Sequence, residues 1–211
     1  MDYLRKIGRK RELNLLKKLN NYMSNPFEIL EVVDEDDNII GLETKGKIHE
    51  NELLHRVIHI WFITPKGEIV FQHRSKNKDL LPDKLDATVG GHVEKGDSYE
   101  ETAIKECKEE TGVDIDVNKL VFLNKKITAA YNEKWGKFHR NMNAQYAYLY
   151  EGKTSDLKTE INDGEGFEAW KIDDLPNLSE NDKLKFIPEI LREDMFNFFN
   201  KAKDNLIKII C

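Results

Sequence analysis

Residues 90–113 read GGHVEKGDSYEETAIKECKEETGV and hold the densest set of groups able to do chemistry in this 211-residue chain. Glu106, Glu109 and Glu110 stand at i, i+3 and i+4, a spacing that puts three carboxylates on one helical face. Like charges so placed destabilise an isolated helix by about 0.2–0.5 kcal/mol per pair. A hard divalent cation held by oxygens turns that repulsion into attraction, and Mg²⁺, with Mn²⁺ as a substitute, suits a site that also receives phosphates. Ser98 followed by Glu101 forms a capping box, and Gly112 stands where a helix needs a left-handed residue to end. With 34% of the residues charged, a solvated acidic face is the plain alternative. The apparent strand 85–89 and the Gly90-Gly91 loop after it argue for the site, because missing side chains let a ligand or metal approach the backbone.

The segment resembles the Nudix box, G-x5-E-x7-R-E-U-x-E-E-x-G-U, where U is a bulky apolar residue. Gly91, Glu106, Cys107, Glu109, Glu110, Gly112 and Val113 stand in its places. Asp97 replaces the family's Glu and Lys105 its Arg. The resemblance gives those two positions the task of supporting the metal-binding glutamates. Both keep their charge, so an Asp97–Lys105 contact is expected, although lysine lacks the bidentate fork of arginine. The family's α/β/α sandwich with a mixed sheet is implied over about residues 27–175. So is hydrolysis of a diphosphate linked to a second moiety X, with Mg²⁺ held by Glu106, Glu109, Glu110 and the carbonyl of Gly91. Glu106 and Glu110 are the favoured ligands, and Glu109 or Glu110 the base that takes a proton from water. Glu165 and Glu168 are weaker base candidates from outside the box.

The elements that must position this box read in order. Residues 1–26 form a basic amphipathic extension, with Leu4, Ile7, Leu13, Leu16, Leu19 and Met23 near helical spacing. EILEVVD and NIIGLETK form a hairpin, and Val57 to Thr64 is a nearly continuous apolar run of buried-strand character. Pro65-Lys66-Gly67 turns the chain into a partner strand, Glu68 to His73. Arg74 and Lys78 follow, placed to meet diphosphate oxygens, arginine as a fork and lysine as a point charge. Strands are expected from Leu120, in NMNAQYAYLYEG and at Phe167 to Lys171. Residues 179–211 are a helical segment packed on the same domain through Phe196, Phe199 and Leu206, with Pro188 opening its longer helix. Tyr131, Trp135, Phe138 and Trp170 are able to stack on a base, with core packing the plainer role for each.

The hairpin, His55 and Gly91-His92 are similar to the Nudix branch that includes the type 1 isopentenyl-diphosphate isomerases, whose metal site uses histidines. That enzyme's catalytic cysteine and glutamate fall here on Gly90 and Asn143, so proton transfer at carbon has no agent. A nucleotide-like diphosphate is the expected substrate, and isomerisation or a non-catalytic nucleotide-binding module the alternatives. His49, His55 and His92 default to ordinary hydrogen-bonded residues.

Bulk composition narrows the classes further. Hydrophobic content of 39% suits a soluble globular domain, and a net charge of −6 gives no footprint for general nucleic-acid or membrane binding. No apolar run approaches the about 20 residues of a membrane helix, and the N-terminus lacks a secretory core. Two cysteines, Cys107 and Cys211, fit a reducing cytoplasm. The terminal helices make a homodimer plausible.

Overall fold

The computed structural model describes residues 25–78, 81–133, 136–159 and 164–210, with side chains to residue 206. The basic extension, Asn25 and Pro26 excepted, and Trp135 lie outside the described residues. The expected hairpin is present as β1 (Ile29–Val33) and β2 (Ile39–Thr44). A short helix that the sequence did not reveal follows, α1 (Lys45–Glu50), whose six residues are too few to show a period.

Strand β3 (His55–Ile63) is the centre of a nine-stranded mixed sheet. It pairs antiparallel with β1, with β4 (Glu68–Arg74) and with β6 (Val89–His92), and parallel with β8 (Lys137–Leu149). Strand β7 (Leu120–Asn132) completes a long hairpin with β8, while β5 (Leu85–Asp86) and β9 (Gly164–Lys171) flank β4. The apolar run of β3 is buried on both faces, as its composition requires. Ile58, Ile60 and Phe62 pack toward α2 (Tyr99–Thr111), against Ala103 and Cys107. Trp61 and Ile63 pack on the opposite side. Fully burying each of these side chains contributes about 1.5–3 kcal/mol.

That opposite side is covered from the C-terminal end of the chain. After α3 (Glu180–Lys183), Pro188 opens only a 3-10 turn, Pro188–Leu191, and α4 (Glu193–Ile210) begins at Glu193. Phe199, Ala202 and Leu206, one stripe at i, i+3 and i+7, are buried against Trp61 and Phe71, with Phe196 at the margin. Helices on both faces of a mixed sheet make the α/β/α arrangement.

The turn of the first hairpin is tied to the start of α2. Asp37, at φ 66°, accepts hydrogen bonds from Arg56 Nε (2.7 Å) and Tyr99 Oη (3.1 Å), and pairs with Lys125. Burial works to raise its carboxyl pKa, but the bonds from Lys125 and Arg56 outweigh that and hold it below the usual carboxylate range. Arg56 also pairs with Glu31 at 3.1 Å, and Glu31 in turn accepts from the Gly96 N–H at 3.1 Å.

Candidate active site

The box helix is fixed at both ends by local chemistry. Ser98 Oγ accepts from the Glu101 N–H (3.1 Å), Glu101 Oε2 accepts from the Ser98 N–H (2.8 Å), and Gly112 ends the helix at φ 74°. Buried Ala103 and Cys107, four residues apart, lock its inner face to the sheet. Burial, with Glu110 and Glu106 nearby, pushes the Cys107 thiol pKa far up, so it packs as an inert small hydrophobe.

Gly90 and Gly91 are not a loop. They lie inside β6, pairing with His59 and Ile58. Their missing side chains are required by close neighbours: a Cβ on Gly91 would sit 2.4 Å from Glu106 Cδ, and one on Gly90 3.2 Å from His59. Glu106 therefore lies directly against the Gly91 backbone. Glu110, 5% exposed, accepts from the Gly90 N–H at 3.2 Å and lies 3.5 Å from the Gln72 amide. Glu109 is exposed. The structure thus brings Glu106 and Glu110 to the glycine strand and turns Glu109 to solvent. The donor set, carboxylate oxygens beside a backbone no side chain shields, fits a hard divalent cation.

The supporting pair differs from expectation. Lys105 pairs with Glu94, not Asp97; that bond is the chief cause raising the Lys105 pKa. Gly96, at φ 90°, turns the loop between Glu94 and Asp97, and Glu94 is the carboxylate brought to Lys105. The Arg74 guanidinium is engaged by Asp86 (2.8 Å) and the Leu81 carbonyl (3.1 Å), and Lys78 is half-buried beside that loop. Glu165 pairs with Lys76 (3.8 Å), and Glu168 accepts from Trp170 Nε1 (3.2 Å). Trp170 packs on Phe186 in the core, whereas Tyr131 and Phe138, 51% and 46% exposed, meet with rings tilted at 56° at the far end of the β7–β8 hairpin.

A profile of the NUDIX domain matches residues 53–190. The chain belongs to the NUDIX domain family. An uncharacterized Nudix hydrolase of Streptomyces coelicolor is 35% identical over 94 residues, 44% of this chain and 52% of that relative. A Nudix hydrolase of Deinococcus radiodurans is 35% identical over 91 residues, 42% of this chain and 52% of the relative. The chain spans about half the length of the curated relatives it matches. Among solved structures, DR0079 from Deinococcus radiodurans superposes with a TM-score of 0.61 at 22% identity, covering 83% of this chain and 99% of that one. The MutT protein from Methanosarcina mazei Go1 gives 0.54 at 16%, covering 70% and 94%. Both likenesses are of fold alone.

His59 pairs with Gly90 across β6, and Asn143 pairs with Val57 across β8, two residues along β3, so the three lie on the sheet face away from α2. Asn143 Nδ2 lies 3.1 Å from His59 Nδ1, and the His59 pKa is lowered by burial, opposed by Asp86 and reinforced by Arg74 and Lys126. Gly90 offers no thiol and Asn143 no carboxylate at the two positions where the resemblance places the isomerase's catalytic pair. His59 and Lys126 had no signal in the sequence, because only pairing across β3, β7 and β8 assembles them.

The histidines also depart from expectation. His49, His55 and His92 bring ring nitrogens to within 4.8 Å of one another. His73, Asp83 and Glu165 form a second such group at the exposed edge.

Proposed function

We propose that this chain hydrolyses a diphosphate bond in a small nucleoside diphosphate-X substrate, using Mg²⁺ held at the box. The reading is supported above all by the convergence of Glu106 and Glu110 on the Gly90–Gly91 backbone. Glu106, Glu110 and the Gly91 carbonyl would hold the ion, which supplies charge neutralisation on the diphosphate and a lowered pKa for attacking water. Glu109, exposed on the same helix, takes the proton from that water as it attacks phosphorus. Arg74 and Lys78 hold the diphosphate oxygens, Arg74 exchanging its contact with Asp86 for a phosphate fork. Lys105 acts at a distance, its pairing with Glu94 fixing the loop that leads into the helix.

The test is a panel of nucleotide sugars, dinucleoside polyphosphates, nucleoside triphosphates and coenzymes assayed with and without Mg²⁺. Release of phosphate or a monophosphate is expected, falling by about 10²–10⁴-fold in Glu110→Gln and in Glu106→Gln. Full Mg²⁺-dependent activity in both variants would overturn the assignment. Interconversion of five-carbon diphosphates without phosphate release would overturn the reaction class.

A further inference from the structure

We propose that the exposed apolar face of the leading hairpin is the docking surface for residues 1–24 of the same chain, the basic amphipathic segment outside the described residues. Strand β2 is the last on its side of the sheet, and its outer edge has no partner strand among the described residues. Register sets Ile29 opposite Thr44, Glu31 opposite Leu42 and Val33 opposite Ile39. Ile29, Leu42 and Ile39 therefore share one face, with Ile40 at the irregularity between the last two. These four are 42%, 49%, 53% and 66% exposed, and Phe27, just ahead of β1, is 69% exposed. The other face is ordinary core, with Leu30 and Val32 buried against Ile48. Large apolar side chains on an edge strand in water are a surface that proteins cover.

The occupant follows from where the chain is held. The Pro26 carbonyl accepts from the Gly46 N–H at 2.9 Å, and Asn25 accepts from the Phe27 and Glu28 N–H groups at 3.2 and 3.1 Å. The segment thus leaves the domain beside Phe27, the first side chain of the surface. Asn25, preceding a proline, is pushed out of the helical region, so a helix that precedes it must turn there. So short a tether gives docking within the chain a high effective concentration over docking on a neighbour. Leu16, Leu19 and Met23 stand at i, i+3 and i+7, and Leu13 extends the stripe by a turn. A helix over residues 12–23 spans about 18 Å and the six residues of β2 about 20 Å, so stripe and surface match in length.

Charge selects the same occupant. Residues 1–24 carry seven Lys and Arg against two acids, whereas residues 25–52 carry nine Asp and Glu against two Lys. Asp36 and Glu50 of that stretch are exposed. Complementary charge steers the segment to the hairpin, and the apolar stripe holds it there. The docked segment then braces the strand pair whose Glu31 and Asp37 reach Gly96 and Tyr99 at the entry to the box helix. It also closes an edge open to a strand from a second molecule.

The test uses the full chain. Trypsin cleavage after Lys17 and Lys18 is expected to be about tenfold slower in wild type than in Ile40→Asp/Leu42→Asp, which leaves the segment's own sequence untouched. Should that variant fail to fold, Leu16→Asp/Leu19→Asp alters no described residue. It is expected to release the same protection and to raise the thiol-reaction rate of a Leu42→Cys reporter about tenfold. Carbodiimide cross-linking of an equal mixture of isotope-labelled and unlabelled chains identifies whose segment is docked. Links from Lys17 or Lys18 to acids of residues 28–52 are expected within one isotope class. Links between classes would hand the segment to a second copy, and protection seen only with phosphatidylglycerol vesicles would hand it to a membrane. Either result, or equal cleavage in wild type and both variants, would overturn the proposal. None of these readouts depends on diphosphate turnover, so the hydrolytic reading stands or falls separately.

Discussion

Gly91 and His92 are neighbours on β6, yet they belong to two clusters on opposite faces of the sheet. Gly91 faces the box helix, where Glu106 rests against its backbone. His92 faces the other way, stacked on His55 at an interplanar angle of 5°. The first cluster is built of hard oxygens on one helix, with one carboxylate buried and another in water. The second is built of buried nitrogens from three separate elements. The alternation of a strand is what keeps two chemically different clusters one residue apart.

The largest way to separate the two is Glu109→Gln. It should lower kcat by about 10²–10⁴-fold, as for removal of a general base, and leave the acid dependence of stability set by the buried histidines unchanged. An unchanged kcat would reassign the base.

Acid should act on the imidazole cluster. Folded His49 and His55 titrate near 3 and 4, against 6.5 when unfolded. Below pH 6.5 the unfolded chain binds protons that the folded chain refuses, so stability present above that value is lost as pH falls toward 4. The slope is on the order of 1.4 kcal/mol per pH unit for each histidine. Denaturant titrations at pH 7, 6 and 5 measure it. A flat profile would mean that these rings are not held neutral by burial.

Gly91→Ala sharpens the contrast from the other face. The new methyl meets Cδ, Cγ and Oε1 of Glu106, so that side chain must move off the strand. Turnover should therefore fall by about 10–100-fold, while unfolding free energy changes by about 1 kcal/mol or less. A collapse in stability would show that the glycine serves packing alone. The smallest effect is expected from Ser98→Ala, which removes the helix cap at about 1 kcal/mol, read from the urea midpoint.

The two clusters were unequally legible before any coordinates. The box helix could be read because its caps and the 106/109/110 spacing are local, fixed by residues within about four positions. The strand character of Gly90-Gly91 could not: two glycines read as a bend, and the neighbours that require them, His59 and Glu106, are distant in sequence. Lys105 met the same limit, since the choice between Glu94 and Asp97 depends on how Gly96 turns the loop. The histidines lie 6 and 37 residues apart along the chain, with no periodicity to announce them. Long β-pairing alone brings them together, and a single sequence carries no register for it.

The profile boundary at residue 53 crosses the contacts that Asp37 and Glu31 make downstream. A fragment trimmed there would strand the cations of Arg56 and Lys125, untether Gly96 and Tyr99, and remove His49. The leading hairpin is thus the footing on which the box helix stands. Expression designs that begin at the family edge would inherit the motif without its foundation.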